Sequence, residues 1–300
     1  MMRAMDVRRL FGALMACTLA LVCLVGEAGA APAQALAFTP LAPVDKNVIG
    51  GQRAQAALSP WQVALVLSGP IDHVDGVFCG GTLIDGQWVL TAAHCFDLKD
   101  KCEPRPRQGF YVAYGSTDLG EQVSLVSAAE VLPHKDYVCG KKGHDIALVR
   151  LRSPVPGVMP IALARPSDLP IYAATGSRVR TTGWGLTSVD GHSSRWLMEV
   201  TVPIVDRGAC QVRYGTSLPA SSICAGEPGK DSCTGDSGGP LYARTTGPGA
   251  IQIGIVSFGD SCGKAQSPGV YTLVSDYLDW IAETRKSKAC TPADIARHIC

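Results

Sequence analysis

The sequence predicts an all-β fold with one helix near its C-terminal end. From Trp61 onward, short apolar runs follow one another, each bounded by Gly, Pro, Asp or Ser, which is typical of a β-sandwich or barrel and not of βαβ units. One stretch alone, 276–286, has apolar residues at helical spacing, and Arg285 and Lys286 favour its C-terminal end because cations stabilise that end of a helix dipole. The clearest predicted strands are 61–67, 87–91, 109–114, 145–151, 178–182, 251–257 and 269–274.

The composition is that of an ordinary folded protein. The chain has 300 residues, of which 46% are hydrophobic and 18% charged, which is enough for one large domain or two small ones. The formal net charge is +1, and the chain has no basic arm or acidic tail, so we expect no nucleic-acid partner. A stretch with several prolines, 153–170, lies near the middle and is predicted to link two β halves.

The first 30 residues have the pattern of a secretory signal peptide. Three arginines precede an almost wholly apolar run over 10–25, and Ala-Gly-Ala at 28–30 matches a small-x-small cleavage site. A signal anchor that stays in place is the alternative interpretation of this pattern. No later stretch is apolar for the ~20 residues that a membrane helix needs. We therefore expect a secreted or periplasmic protein, free of the membrane after signal removal, with a leader or propeptide over residues 31–47.

Cysteine usage agrees with export. Of the 12 cysteines, Cys17 and Cys23 fall within the predicted signal peptide, which leaves an even number in the mature chain. An even number in a secreted protein indicates disulfides, whereas a zinc site needs clustered pairs of cysteines that this sequence lacks. We predict no metal and no cofactor.

Three short motifs carry the residue types of a catalytic triad. Ser237 lies in Gly-Asp-Ser-Gly-Gly-Pro at 235–240, where glycines permit a tight turn that points N–H groups at one place, as an oxyanion requires. His94 closes Thr-Ala-Ala-His, and Asp145 begins a predicted strand. A serine becomes a nucleophile when a neighbouring base takes its proton. The order His, Asp, Ser marks one known solution of the triad and excludes lipases and esterases, whose order is Ser, Asp, His.

With these motifs the sequence resembles the chymotrypsin/trypsin family of serine proteases (peptidase family S1), with trypsin-like specificity. The resemblance extends over about 48–286 and includes Val-Ile-Gly-Gly at 48–51, Gly-Trp-Gly at 183–185 and Pro-Gly-Val-Tyr at 268–271. It implies two six-stranded antiparallel barrels, the chymotrypsin-like double β-barrel, with a C-terminal helix. The protease domain is then 48–286, and residues 287–300 form a tail that the resemblance does not explain.

The resemblance implies a role for each motif residue. His94 is the general base, Asp145 orients its imidazole, and Ser237 attacks the substrate carbonyl through an acyl-enzyme mechanism. The backbone N–H groups of Gly235 and Ser237 form the oxyanion hole. The implied enzyme is a monomeric endopeptidase that acts on proteins or peptides, with a proteinaceous inhibitor as a further candidate partner.

Specificity is implied by Asp231, six residues before Ser237, which corresponds to the base of the primary substrate pocket. A carboxylate at the end of a narrow slot selects Arg or Lys, because any other side chain leaves its charge unpaired. The other implied members of this pocket are Ser232, Ser257, Gly259 and Gly269.

Matching cysteines imply three disulfides, Cys79–Cys95, Cys210–Cys224 and Cys233–Cys262. Four further cysteines remain, and four cysteines permit three connectivities. We pair Cys102 with Cys139, because both are expected on loops beside the active-site cleft, and Cys290 with Cys300, because they lie close together in sequence.

Activation is where the sequence departs from the family. The family frees an N-terminal amine, here that of Val48, which pairs with the Asp before the nucleophile, here Asp236. The residue before Val48 is Asn47, not Arg or Lys, so we expect that a different, activating protease releases the amine. Because of Asn47, a catalytically inactive homologue acting as a binding or regulatory module is kept as the alternative. A second departure is Phe258, where the family usually has Trp.

Overall fold

The computed structural model describes residues 50–69, 73–98, 102–105, 109–121, 123–186, 192–247, 249–260 and 262–288. Val48, the predicted signal peptide and leader, and the predicted Cys290–Cys300 pair lie outside the described residues.

The first half of the chain forms a closed six-stranded antiparallel barrel. Its strands pair in the order β2-β3-β4-β9-β8-β7, and β5 and β6 form a separate two-stranded sheet. Residues Val63 and Leu65 of β2 lie in the barrel core, whereas Ala64 and Val66 pack on its other face against Trp184 of the second half. Burial on both faces explains why this strand is a continuous apolar run. The strands are β1 (Gln52–Arg53), β2 (Gln62–Leu67), β3 (Val77–Leu83), β4 (Trp88–Thr91), β5 (Asp97–Leu98), β6 (Glu103–Pro104), β7 (Phe110–Tyr114), β8 (Ser124–Pro133) and β9 (Ala147–Leu151).

The second half also closes on itself. Its strands are β10 (Ala162–Leu163), β11 (Arg178–Gly183), β12 (Met198–Val205), β13 (Ser222–Ala225), β14 (Pro240–Arg244), β15 (Ala250–Phe258) and β16 (Gly269–Leu273). They pair in the order β12-β11-β14-β15-β16-β13, and the pairing of β12 with β13 closes the barrel. Met198, Val200, Val202 and Ile204 alternate along β12 and all enter its core, as the two-residue period of a strand requires. The expectation of two six-stranded barrels is confirmed.

The structure contains more helix than the sequence predicts. The expected C-terminal helix is present, as a 3-10 turn at Val274–Tyr277 followed by α3 (Leu278–Ser287), after α1 (Leu169–Tyr172) and α2 (Arg207–Tyr214). The expectation of a single helix is therefore wrong. In α2 the Asp206 carboxylate caps the N-terminus by accepting from the Ala209 N–H, yet Val212 is 89% exposed, so no apolar stripe marks the helix in the sequence. None of the helices in the described part of the chain is long and apolar enough to cross a membrane.

Each barrel also carries a segment from the opposite end of the chain. Strand β1 precedes the first barrel in sequence but pairs with β12 of the second. Helix α3 follows the second barrel but packs on the first, where Ile281 joins the core and Lys288 Nζ lies 2.8 Å from Glu130 Oε1 of β8. The predicted link at 153–170 connects the barrels and contacts both, since Ile161 N–H donates to a β3 carbonyl and Ala164 N–H to a β15 carbonyl.

The described chain contains four disulfides, each a pair named from the sequence: Cys79–Cys95, Cys102–Cys139, Cys210–Cys224 and Cys233–Cys262.

Candidate active site

His94 and Asp145 are brought together by the pairing of two strands of the first barrel. Strands β4 and β9 are antiparallel, with Thr91 opposite Ala147, so the end of β4 meets the start of β9. His94 follows β4 in a 3-10 turn, and Asp145 stands two residues before β9. The Nδ1 atom of His94 donates to Oδ2 of Asp145 at 2.8 Å, and the His94 backbone N–H donates to Oδ1 at 2.9 Å. Both carboxylate oxygens therefore fix the histidine.

The second barrel also holds Asp145, which is 4% exposed. The Ser257 hydroxyl donates to Oδ2 at 2.5 Å, and the Thr272 hydroxyl donates to the backbone carbonyl of Asp145 at 2.8 Å. Burial by itself disfavours the charged forms of both groups of the pair. Charge attraction and hydrogen bonding outweigh burial, so the pKa of Asp145 lies below its ordinary value and the pKa of His94 above. Ser257 was predicted only as a pocket residue, and its contact with Asp145 was not predicted from the sequence.

Ser237 lies on the loop between β13 and β14, and this loop packs against the first barrel. Its carbonyl accepts from the Gly80 N–H at 2.7 Å, and the Sγ of Cys95, the residue after His94, lies 3.8 Å from the same oxygen. Gly238 makes this approach possible: its φ is +80°, and a Cβ there would lie 2.2 Å from the Thr91 hydroxyl oxygen. The loop of Ser237 is thus packed against the strand that leads to His94.

The N–H groups around Ser237 divide into two sets. Those of Asp236, Gly238 and Gly239 donate to backbone carbonyls. For the N–H groups of Gly235 and Ser237, no acceptor is found within the described residues. Gly235 has a φ of +95°, and a Cβ there would lie 2.8 Å from Gly185 Cα, so this turn requires glycine. Two backbone donors beside the Ser237 hydroxyl are what an oxyanion needs.

Ser237 and Asp231 both line a cavity of about 370 Å³. Asp231 is 3% exposed, and burial raises its pKa to about 7. Its Oδ2 accepts from the Gly263 N–H at 3.3 Å, whereas Oδ1 has no hydrogen-bond partner among the described residues. A Cβ at Gly269 would lie 2.7 Å from Oδ1, so this glycine leaves the carboxylate its space. All the predicted pocket residues line the cavity: Asp231, Ser232, Ser257, Gly259 and Gly269.

Asp236 occupies a separate buried position. Its Oδ1 accepts from the Gly185 N–H at 2.9 Å and its Oδ2 from the Cys233 N–H at 2.8 Å, and burial raises its pKa to about 6. A Cβ at Gly183 or Gly185 would lie 2.1 or 2.6 Å from Oδ1, which explains the glycines of the Gly-Trp-Gly motif. Val48 lies outside the described residues. Gly50 packs against the Gly229 carbonyl, where a Cβ would lie 2.4 Å from the oxygen.

One group of metal-ligand residue types lies close together in the described chain: Cys79, His94 and Cys95. The two sulfurs are joined in a disulfide, which removes the thiolates that a metal would bind.

A comparison with known protein families agrees with this geometry. A family model described as Trypsin matches residues 48–281. The match covers both barrels, reaches into α3 and includes every residue of the site described above.

Proposed function

This chain belongs to the trypsin family of serine proteases, and from that premise we propose that it is an exported endopeptidase that hydrolyses peptide bonds after Arg or Lys. The observation that carries the proposal is Asp231, a buried carboxyl group in the lining of the cavity that Ser237 also lines. A buried carboxylate without a cation is costly, and a guanidinium or ammonium group that enters the cavity offsets that cost. Neutral side chains leave the carboxylate unpaired and are therefore poorer substrates.

In the proposed mechanism, Ser237 Oγ attacks the carbonyl carbon of the scissile bond while His94 Nε2 takes the hydroxyl proton. Asp145, bonded to Nδ1, keeps Nε2 as the basic nitrogen and stabilises the imidazolium that forms. The N–H groups of Gly235 and Ser237 donate to the negatively charged oxygen of the tetrahedral intermediate. His94 then gives its proton to the leaving amine, which breaks the C–N bond and leaves an acyl-enzyme. Water then attacks the acyl carbon while His94 takes its proton; the bond between that carbon and Ser237 Oγ breaks, His94 returns the proton to Oγ, and the acid product leaves.

Two features of the site support these roles. The histidine is fixed by both oxygens of the Asp145 carboxylate, and residues of both barrels hold that carboxylate in turn. Catalysis by positioned groups requires side chains that are held in this way before the substrate binds. The raised pKa of His94 reflects an imidazolium that the site stabilises, as the proton-transfer step needs.

We further propose that activation joins the free amine of Val48 to Asp236. The buried carboxylate with its raised pKa and the packing of Gly50 against Gly229 support this proposal. Asn47 then implies an activating protease that removes the leader over residues 31–47. Four disulfides support a secreted or periplasmic location, after removal of the signal peptide over residues 1–30.

The test uses protein cut by a site-specific protease so that its chain begins at Val48. Hydrolysis of peptide amides ending in Arg, Lys or Phe is compared with that of Ser237→Ala protein prepared identically. We expect cleavage after Arg and Lys that is absent in the variant. Preference for Phe would contradict the role of Asp231. A folded protein that neither cleaves nor reacts with a fluorophosphonate at Ser237 would instead be an inactive homologue that acts as a binding or regulatory module.

A further inference from the structure

Two lysines line a second cavity beside the His94–Asp145 pair. This lysine cavity has a volume of about 270 Å³ and includes His94, Lys141 and Lys142 in its lining. It shares Ser257 and Phe258 with the cavity of Asp231. A peptide with its Arg or Lys in the Asp231 cavity therefore extends past the lysine cavity within one or two residues, because an extended chain advances about 3.3–3.6 Å per residue.

The segment that carries the two lysines, 139–145, is anchored at both ends. Cys139 is bonded to Cys102, and the Lys141 N–H donates to the Val138 carbonyl at 2.9 Å in a turn. Three residues after Lys142 the chain is fixed again at the buried Asp145. The backbone of the two lysines is thus held in place, while both side chains are exposed to an incoming ligand.

Lys142 points across the cleft. Its Nζ lies 4.6 Å from the centroid of the Phe258 ring, over the aromatic face, where the ring attracts a cation. Phe258 is one of the two residues that line both cavities. The Lys142 charge also opposes protonation of His94, so its field reaches the catalytic pair.

The negative charges of the lysine cavity are committed elsewhere. The Tyr137 hydroxyl donates to the Asp97 carboxylate, and the Asp145 carboxylate is bonded to His94. No carboxylate within the described residues lies at ion-pair distance from Lys141 or Lys142. The cavity thus presents two cations without acidic partners, next to a cavity that has the buried Asp231 carboxyl group in its lining.

We propose that Lys141 and Lys142 form a subsite for an acidic side chain, in the one or two residues that precede the cleaved Arg or Lys. The substrate class is then a peptide in which Asp or Glu comes just before the basic residue. This inference rests on the proposed function, because it places the cleaved residue at Asp231. The shared lining at Ser257 and Phe258 makes the two cavities neighbours, and the choice of the preceding side of the scissile bond is the part of the proposal that the substrates below test.

The test uses fluorogenic amides with a fixed Arg and a fixed leaving group, preceded by Glu, Gln or Lys. Such substrates contain residues on the acyl side alone, so any preference reports that side. At low salt we expect kcat/KM to be about three- to tenfold higher for Glu than for Gln, with Lys poorest, mainly through KM. The ratio should shrink in 1 M salt, where the screening length falls to about 3 Å.

Variants assign the preference to residues. Lys142→Gln should bring the Glu-to-Gln ratio close to one, Lys141→Gln should reduce it less, and Lys142→Glu should make Lys the preferred residue. Lys135→Gln is the matched control, because Lys135 is an exposed lysine in the same loop between β8 and β9 but lies outside the cavity, beside Asp136. Since any change in the pKa of His94 affects all three substrates alike, the ratio isolates the subsite.

The same comparison is made without turnover, as dissociation constants of Glu-Arg and Gln-Arg peptides for Ser237→Ala protein. An equal affinity for both peptides, or a Glu preference that survives in the Lys141→Gln/Lys142→Gln double variant, overturns the subsite. Absence of all cleavage by the wild-type enzyme, with the Glu preference in binding retained, would count against the proposed function and leave the subsite standing.

Discussion

Replacing Asp231 by Asn should stabilise the folded protein while it abolishes cleavage after Arg and Lys. Burial raises the pKa of this carboxyl from 3.8 to about 7. The Asp231 carboxyl group therefore costs no stability below pH 4, where it is protonated in both states. As the pH rises towards 7 the free energy of unfolding decreases, because the unfolded chain gives up this proton more readily than the folded one. At about 1.4 kcal/mol for each unit of pKa, the loss is about 4 kcal/mol at pH 8. Since the Asn amide is buried too, we expect Asp231→Asn to recover about 2–4 kcal/mol.

The assay is urea unfolding with the disulfides intact, at pH 4, 6 and 8, in a Ser237→Ala background that prevents self-digestion. The gain in the free energy of unfolding should be near zero at pH 4 and largest at pH 8. Asp260→Asn is the control, since Asp260 lines the same cavity but is exposed and paired with Arg213, and its effect should stay below about 1 kcal/mol. A gain for Asp231→Asn that is the same at pH 4 and pH 8, or absent at both, would refute the reasoning.

Three further predictions concern the surroundings of the triad. Ser257→Ala removes a hydrogen bond to the Asp145 carboxylate and should lower kcat/KM roughly ten- to a hundredfold. The rates are measured per active site, with sites counted by fluorophosphonate titration. A change below about twofold would contradict a role of Ser257 in holding Asp145. Gly185→Ala places a Cβ 2.6 Å from the Asp236 carboxylate oxygen and should abolish activity, whereas Gly86→Ala, whose nearest neighbour would be at 3.6 Å, should not; amide hydrolysis and circular dichroism of both proteins test this. Asn47→Arg should turn an inert precursor into one that activates itself, seen as a lag in progress curves and a new terminus at residue 48; a precursor that stays intact would contradict the register.

The sequence indicated the all-β fold and the residues of the candidate site because both depend on local patterns, whereas the double barrel and the roles proposed for those residues came from the family resemblance. Alternating and fully apolar runs follow from burial, and the glycines of 235–239 follow from a turn that leaves no room for a Cβ at Gly235 or Gly238. Such constraints act on single positions and are readable one residue at a time. The motifs at His94 and Asp145, which lie at the ends of two paired strands, are visible for the same reason.

Contacts between distant segments were not predictable in this way. The hydroxyl of Ser257 meets Asp145 across the boundary of the two barrels, 112 residues apart in sequence, and nothing local to either residue marks it. Helix α2 was missed because a cap and a disulfide at Cys210, rather than an apolar stripe, hold it. The lysine cavity also depends on a contact between distant parts of the chain, since Cys139 in its lining is bonded to Cys102.

The exchange of terminal segments between the barrels has a consequence for the integrity of the molecule. Strand β1 belongs to the sheet of the second barrel, and α3 packs on the first. After a single cut in the link between the barrels, the N-terminal fragment would therefore still pair with the second barrel through β1, and the C-terminal fragment would still pack on the first through α3. We expect such a nicked chain to migrate as one particle under native conditions and to separate when denatured without reduction, since none of the four described disulfides joins the two halves. Two fragments expressed apart would each lack the segment of the other that packs on their own barrel, so they should become active when they are refolded together.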